Sequence, residues 1–372
     1  MPQDGGAAAV LAAPSGVGRA WLEAAARRGE PIVLTVGALL AGLAAFSVFL
    51  ALVGKSPADF YALVYKAGFG TAFSWENTLS RTAPLLLAAL CVALPAKLGL
   101  VVIGGEGALV RGGVAAGAGG RGRPGLPGAI GIALMGVAAA LVGGAWIGLV
   151  GWLRFRRGVN ETISSLLLAY IALALMNHLV EGPLRDPASL NKPSTAPLPA
   201  GYRLGEIPGL DVHWGLAAGV VGCVVCWLLI ERTSWGFAAR IVGGNVRAAQ
   251  AQGLPVGRLL VGWTALGGAF AGLAGMIEVS AVHGSANASL AAGYGYTGIL
   301  VAFLARHNAL AIVPVAILLA GFEASSGLVQ RRLDLPDATI LALQGFVFVA
   351  ILASETLYGR FRMFQPDLWR RP

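Results

Sequence analysis

Charge is scarce in this sequence. Asp, Glu, Lys and Arg together make up 12% of its 372 residues, about half of what a soluble domain carries, so polar side chains cannot cover a water-soluble globule. Cysteine is scarcer still: Cys91, Cys223 and Cys226 are the full set, which leaves no disulfide framework. Cys223 and Cys226 are spaced as C-x-x-C, but they lie in an apolar run with no further ligands beside them, which argues against zinc or redox chemistry and for small buried hydrophobes. There is no Walker A pattern and no G-x-S-x-G. The four histidines, His178, His213, His283 and His307, have no metal-ligand spacing. The chain therefore reads as a non-enzyme that needs no metal or cofactor and does not bind ATP in a P-loop. The N-terminus lacks the basic start of a cleavable signal. Residues 1–30 are expected to be a cytoplasmic tail, with Trp21–Arg28 lying on the membrane surface.

What is abundant is apolar sequence and glycine. Hydrophobic residues make up 56% of the chain and glycines number 54; glycine is frequent where membrane helices pack closely. Apolar runs near 20 residues recur along the chain, as bilayer-spanning helices require. Ten can be marked: Ile32–Val53, Thr82–Ile103, Gly104–Gly120, Leu126–Leu153, Thr162–Val180, Trp214–Ile230, Leu259–Val282, Thr297–Ala305, Leu310–Leu328 and Ala338–Ala353. The second contains Pro84 and Pro95 and is expected to be kinked or broken. The third and eighth are short and read as short spans or re-entrant helices. The expected fold is an all-α membrane protein of about ten transmembrane helices, some short or broken. An internal repeat is suggested by Gly104-Gly105-Glu106-Gly107 and Gly295-Tyr296-Thr297-Gly298, each opening a short segment before a long one.

The net charge of +9 is a topology signal, since the basic residues cluster between apolar runs; no nucleic acid partner is expected. With the N-terminus inside, fifteen of the 27 Lys and Arg fall on the inner side and ten on the outer. An even number of spans then returns both termini to the cytoplasm of a multi-pass inner-membrane protein. Residues 31–355 form one polytopic domain and 356–372 a cytoplasmic C-terminal tail. Two connections are long. Residues 181–213, with six prolines, read as an external loop. Residues 231–258 read as a cytoplasmic loop with a short helix, started by Asn245 and ended by Gly253-Leu254-Pro255. Such a helix suits a membrane domain that receives force from a soluble motor.

Ionisable residues within spans are costly and point to function. Glu106 and Arg111 read either as an ion pair fixing helix register or as part of a translocation path. Glu278, near the external end of its helix, reads as a snorkelling or helix-pairing group ahead of a substrate contact, and Glu323 as structural or path-lining. Tyr294 and Tyr296, among glycines, read as an interfacial anchor or as a stacking platform for a sugar or base.

Several stretches, in order over Phe60–Glu355, resemble the permease subunits of bacterial ABC importers for nucleosides and simple sugars, in the branched-chain amino acid/ribose permease superfamily. They are Glu76-Asn77-Thr78-Leu79 with Arg81-Thr82-Ala83-Pro84-Leu85; Ile103-Gly104-Gly105-Glu106-Gly107; Gly158-Val159-Asn160-Glu161-Thr162-Ile163-Ser164, running on to Ala169-Tyr170-Ile171; Gly182-Pro183-Leu184-Arg185-Asp186-Pro187; Gly236-Phe237 to Gly243-Gly244-Asn245, with Ala248-Ala249 and Gly253; and Gly293 to Ile299. The nucleoside-type branch is the most similar. The resemblance implies about ten helices, a partner ABC ATPase subunit, a second permease subunit of different sequence, a substrate-binding lipoprotein and surrounding membrane lipid. It implies ATP-driven import of a nucleoside or simple sugar by alternating access. On this reading Gly243, Gly244, Asn245, Ala248, Ala249 and Gly253 dock on the ATPase, while Glu106, Arg111, Asn160, Glu161, Tyr294, Tyr296 and Glu323 line the substrate path. The sequence departs from the family at Ala108, Arg111, Arg247 and Arg306-His307-Asn308-Ala309. The rival reading is a stand-alone proton-coupled secondary transporter using Glu106, Glu278 or Glu323, which has no need of a motor-docking helix.

Overall fold

The computed structural model describes residues 16–121, 127–189 and 192–356. Most of the two expected tails lies outside these ranges or has no described side chains, Trp21–Arg28 included. The chain divides into two units, residues 1–49 with 345–372, and residues 50–344.

In the first unit, helix α1 (Gly16–Leu52) begins well before the apolar run that announces it. Its Gly42 lies against the backbone of Val347. One turn on, the Phe46 ring sits 5.8 Å from that of Phe346, edge-on, so a small residue admits the partner backbone and an aromatic pair locks it.

The second unit holds the remaining helices: α2 (Pro57–Phe69), α3 (Ala72–Ala96), α4 (Gly105–Arg121), α5 (Gly128–Arg157), α6 (Glu161–Glu181), α7 (Gly215–Arg232), α8 (Ser234–Gly244), α9 (Val246–Ala251), α10 (Val256–Ile277, continued by a π-helical turn to His283), α11 (Tyr294–Leu304), α12 (Ile312–Leu333) and α13 (Ala338–Glu355), whose C-terminal part belongs to the first unit. There is no β-strand among the described residues. Among the described residues, seven helices are long and apolar enough to cross a membrane, and two further apolar stretches, Ala288–Leu304 and Ala338–Ser354, are shorter. Each of the ten segments marked in the sequence coincides with a helix; α2 and α8, not marked there, are additions.

The second segment is broken at Pro95 and not at Pro84: the helix runs through Pro84, ends at Ala96, and residues 97–103 are not helical. Helix α3 starts ten residues early, at Ala72, where the Thr71 hydroxyl accepts the Ser74 amide at 3.1 Å. Pro84 removes the amide that would bond to the Ser80 carbonyl. The His213 imidazole is aimed at that carbonyl without reaching full hydrogen-bond geometry. Burial carries the rest: every residue of α3 from Thr82 to Pro95 is buried, so tertiary packing overrides the local penalty.

The internal repeat is visible as two triplets, α3–α4–α5 and α10–α11–α12. In each, a long helix is followed by a connection, a short helix and another long helix. The short helices are exchanged: α4 packs on α10 and α11 packs on α3. Glycine makes the exchange close. Gly112 of α4 meets Gly272 of α10 backbone to backbone, and Gly298 of α11 lies against Ala88 and Ala89 of α3. At 1.5 Å per residue, α11 rises about 16 Å, roughly half the hydrocarbon thickness of a bilayer. Both short helices thus start inside the protein rather than at its surface.

Residues 182–214 form the long connection between α6 and α7 and lie across the segment after α10. The Thr195 amide donates to the Ala286 carbonyl (2.9 Å), the Leu198 amide to Gly284 (2.8 Å) and the Leu204 amide to Ser280 (3.1 Å). The proline-rich loop is therefore ordered by backbone pairing to the second repeat.

Candidate functional site

The two short helices meet N-terminus to N-terminus. A helix start carries unsatisfied amides and a partial positive charge. Here the Glu106 carboxylate, in the first turn of α4, accepts the Gly293 amide at 2.8 Å and the Gly295 amide at 2.6 Å. One side chain of the first repeat thus caps the short helix of the second. The approach requires glycine at 295, since a Cβ there would collide with the Glu106 backbone nitrogen, and at 293, whose φ of 89° is left-handed. Glu106 is only 1% exposed.

Polar groups gather around this junction. Glu278, 3% exposed, opens the π-helical turn at the end of α10, with His283 Nε2 3.5 Å from its carboxylate. Single π-helical turns inside α-helices recur at functional sites. The Tyr294 hydroxyl lies near the Arg81 guanidinium, which reaches Asn77 Oδ1 at 3.3 Å through Nε. On α12, Glu323 takes a 3.5 Å contact from Gln344 Nε2, and the Thr297 hydroxyl lies 3.4 Å from Gln344 Oε1. Arg81, Glu106, Glu278, Tyr294 and Glu323 interact electrostatically as one set. The result is a cluster of three carboxylates and one guanidinium, with Glu106 and Glu278 buried and Arg81 and Glu323 half-buried, and with hydroxyl and amide groups between them, drawn from α3, α4, α10, α11, α12 and α13.

Of the sequence-derived candidates, Glu106, Tyr294 and Glu323 come together here. Arg111 does not: its guanidinium stacks 4.7 Å from the centre of the Trp146 ring, so the proposed pair with Glu106 does not form. Glu106 directs both oxygens to backbone amides instead. Tyr296 is 39% exposed, whereas Tyr294 is 8% exposed; the two aromatics diverge because neighbouring-but-one residues do not share a helix face. Glu278 does not snorkel, since its carboxylate is turned inward to His283. Asn160 caps α6, accepting the Thr162 and Ile163 amides at 2.9 and 3.1 Å, and Glu161 pairs with Arg154 at 3.2 Å. Both lie apart from the cluster, at the turn between α5 and α6.

That turn bears on the cluster through an intermediate strap. After a turn at Lys97–Gly99, where Gly99 is left-handed at φ 74°, residues 100–103 leave α3 without helical structure and lead to Glu106. The Ile103 amide donates to Ser165 Oγ at 3.0 Å, and the Thr162 hydroxyl donates to the Val101 carbonyl at 2.9 Å. At its other end the strap touches α8. Gly243 lies so close to the Lys97 carbonyl that a Cβ would overlap it. Helix α9 follows immediately, with Asn245 Oδ1 accepting the Ala248 amide at 3.1 Å, Ala249 buried, and Gly253 at φ 77° ending it. Gly244 has open space around it and Ala248 is exposed. Burial lowers the basicity of Lys97, opposed in part by Glu231. Beside Lys97, burial holds His307 at a pKa of about 4.

Residues 74–352 match the family described as branched-chain amino acid transport system / permease component. The chain belongs to this family. It is 34% identical to the glucose ABC transporter permease protein TsgB13 of Haloferax volcanii over 347 residues, covering 90% of this chain and 89% of that protein. It is 30% identical to the guanosine ABC transporter permease protein NupP of Bacillus subtilis, over 80% and 86% of the two chains. The nucleoside ABC transporter permease protein NupB of Lactococcus lactis is 25% identical over 77% of this chain and 80% of its own length.

Sequence reasoning about the permease missed Arg81, Thr297 and Gln344. Arg81 was assigned to an external connection because the apolar run starts at Thr82. The signal that would have found it is the Thr71 cap, which places Glu76, Asn77 and Arg81 on the helix. Thr297 and Gln344 are uncharged and gave no signal of cost within an apolar segment.

Proposed function

We propose that this permease imports a neutral, hydroxylated solute, a nucleoside or a simple sugar, driven by a separate ABC ATPase. The observation that carries this reading is the junction of the two short helices at Glu106, ringed by Arg81, Glu278, Tyr294, Glu323 and Gln344. Discontinuous helices meeting within a membrane protein mark the substrate site in many transporters. Sugar and ribose hydroxyls donate well to carboxylates and accept from guanidinium and amide groups. Three carboxylates against one guanidinium repel phosphorylated solutes. The relatives named for glucose and for guanosine share a hydroxylated ring, which fits this chemistry.

On this reading both termini and α8–α9 face the cytoplasm of the inner membrane, and loop 182–214 faces a solute-binding lipoprotein. A second permease chain completes the path. The chain itself performs no chemistry. Its work is a change of shape: ATP binding draws the ATPases together, α8–α9 move with them, and the strap from Lys97 to Ile103 carries the displacement to Glu106. Parting or tilting of the short helices then opens the cluster to one side or the other. Direction requires that the solute bind the two states with different affinity.

The reading is tested by reconstituting the permease with its ATPase and binding protein and measuring ATP hydrolysis against a panel of glucose, ribose, guanosine and their phosphates. Stimulation by at least one neutral solute and by no phosphate ester supports it. Stimulation by phosphate esters, or by nothing in a fully assembled complex, overturns it.

A further inference from the structure

Outside the central cluster, the α5–α10 pair forms two adjoining cavities of about 700 and 690 Å³. They share Trp152, Val261 and Gly262, so they form one continuous groove with two different halves. The first half runs along Ala140–Leu149 and Val261–Ala269 and has no charged group in its lining. Its floor is shaped by sequence: Gly144 and Gly148 face Ala265 and Ala269 of α10, and these small residues leave a channel where larger ones would fill it. Trp235 of α8 reaches over Gly262, which has no side chain to block the indole. The second half, at the α8–α9 end, is lined by Arg156 and Arg258 with the Gln250 amide between α9 and α10, and no acidic residue lines it. Neither arginine forms an ion pair among the described residues.

We infer that this groove holds one anionic phospholipid of the cytoplasmic leaflet, its acyl chain along α5 and α10 and its phosphate between Arg156 and Arg258. The division of the groove is what selects this occupant. A soluble partner would leave the membrane-depth half empty, and a hydrophobic helix would bury two arginines without a counter-charge, which is costly. An amphiphile with a negative head satisfies both halves. Basic pockets between helices on the cytoplasmic side bind acidic headgroups, and tryptophan favours the boundary between headgroup and hydrocarbon. Trp152 and Trp235, 44% and 53% exposed, stand at that boundary. Because Gln250 and Trp235 belong to α9 and α8, a lipid seated there would brace the helices proposed to receive force from the ATPase. The leaflet assignment rests on the orientation given under the proposed function; the presence of the lipid does not.

The test is native mass spectrometry of the full chain, delipidated in detergent and titrated with dioleoyl phosphatidylglycerol or dioleoyl phosphatidylcholine. One phosphatidylglycerol per chain should be retained in preference to phosphatidylcholine. Arg156→Gln with Arg258→Gln should lower that retention by on the order of thirtyfold and leave phosphatidylcholine unchanged. Both arginines are exposed, so the double variant is expected to fold, and its melting temperature checks this. Equal retention of the two lipids, or retention unaffected by the double substitution, overturns the inference. So does efficient cross-linking in membranes from Trp152→Cys or Leu266→Cys to a second permease chain, which would make the groove a protein interface. Failure of the assembled wild-type complex to transport, with phosphatidylglycerol still retained selectively, would instead count against the importer reading alone.

Discussion

Replacing Glu106 by Gln weakens the hydrogen-bonded link between the two short helices. The carboxylate accepts two backbone amides, at 2.8 and 2.6 Å, in a site 1% exposed. Glutamine has one acceptor oxygen. It can keep one of the two amides, and its own NH₂ then faces the other. Trading a charged for a neutral hydrogen bond to one amide costs about 1 kcal/mol, and the other amide, a buried donor left without a partner, costs about 1–3 kcal/mol. A net loss of about 2–4 kcal/mol follows, against a total stability of roughly 5–15 kcal/mol for a folded domain. The variant should therefore remain folded but loosened at one point. If the junction is made in one conformation and parted in the other, the same loss shifts the balance of the two by about 30- to 1,000-fold. The assay is solute uptake into proteoliposomes holding the assembled complex, with ATP hydrolysis followed in parallel. Uptake should fall at least tenfold in Glu106→Gln, and ATP hydrolysis should become less dependent on solute. Glu106→Asp, one methylene shorter, should be intermediate because it cannot reach both amides. Wild-type uptake by Glu106→Gln in a complex of unchanged melting temperature would refute the assignment of this junction to the moving part.

Three further outcomes follow from the packing and the electrostatics. Gly295→Val should prevent α11 from docking, because even a Cβ collides with the Glu106 backbone, and a drop in melting temperature or in yield of membrane-inserted protein would register it. Gly243→Val should push α8 away from the Lys97 carbonyl and separate the two activities, leaving ATP hydrolysis near wild type while uptake falls several-fold. His307 makes stability depend on pH. Its folded pKa is about 4 against 6.5 unfolded, so the stabilisation is complete above about pH 6.5 and is lost as pH falls toward 4, because only the unfolded chain takes up the proton. The full span is on the order of 3 kcal/mol before solvent screening. His307→Asn, which tolerates the left-handed backbone at φ 55°, should flatten the fall in melting temperature between pH 7 and pH 5.

The helices were legible wherever hydropathy alone defines them. Ten apolar runs gave ten helices because burial in lipid or in protein demands the same residue types. The starts of α3 and α1 were not legible, since Glu76, Asn77 and Arg81 dilute the first turns of α3 below any hydropathy threshold while its Thr71 cap and buried face hold the helix. Helix α2 was hidden for a related reason: Asp59 and Lys66 interrupt a stretch whose buried positions, Phe60, Val64 and Gly68, lie at helical spacing. The repeat was legible as two glycine-rich openings, but not the exchange of α4 and α11, which depends on which distant backbone each glycine admits. Glu106 was recognisable as a costly intramembrane carboxylate. Its partners were not, because backbone amides of Gly293 and Gly295 leave no trace in composition. Arg111 shows the converse, an arginine made tolerable by the face of Trp146, 35 residues further along the chain.

The central claim is that force enters at α8–α9 and reaches the cluster around Glu106 through the strap from Lys97 to Ile103. Solute uptake by proteoliposomes holding the permease, its ATPase and its binding protein tests this most directly when ATP and a proton gradient are supplied separately. The account predicts uptake with ATP and none with the gradient alone, and loss of the ATP-driven uptake when Asn245–Gly253 is replaced by a flexible linker. Uptake driven by the gradient with that segment replaced and no ATPase present would contradict it.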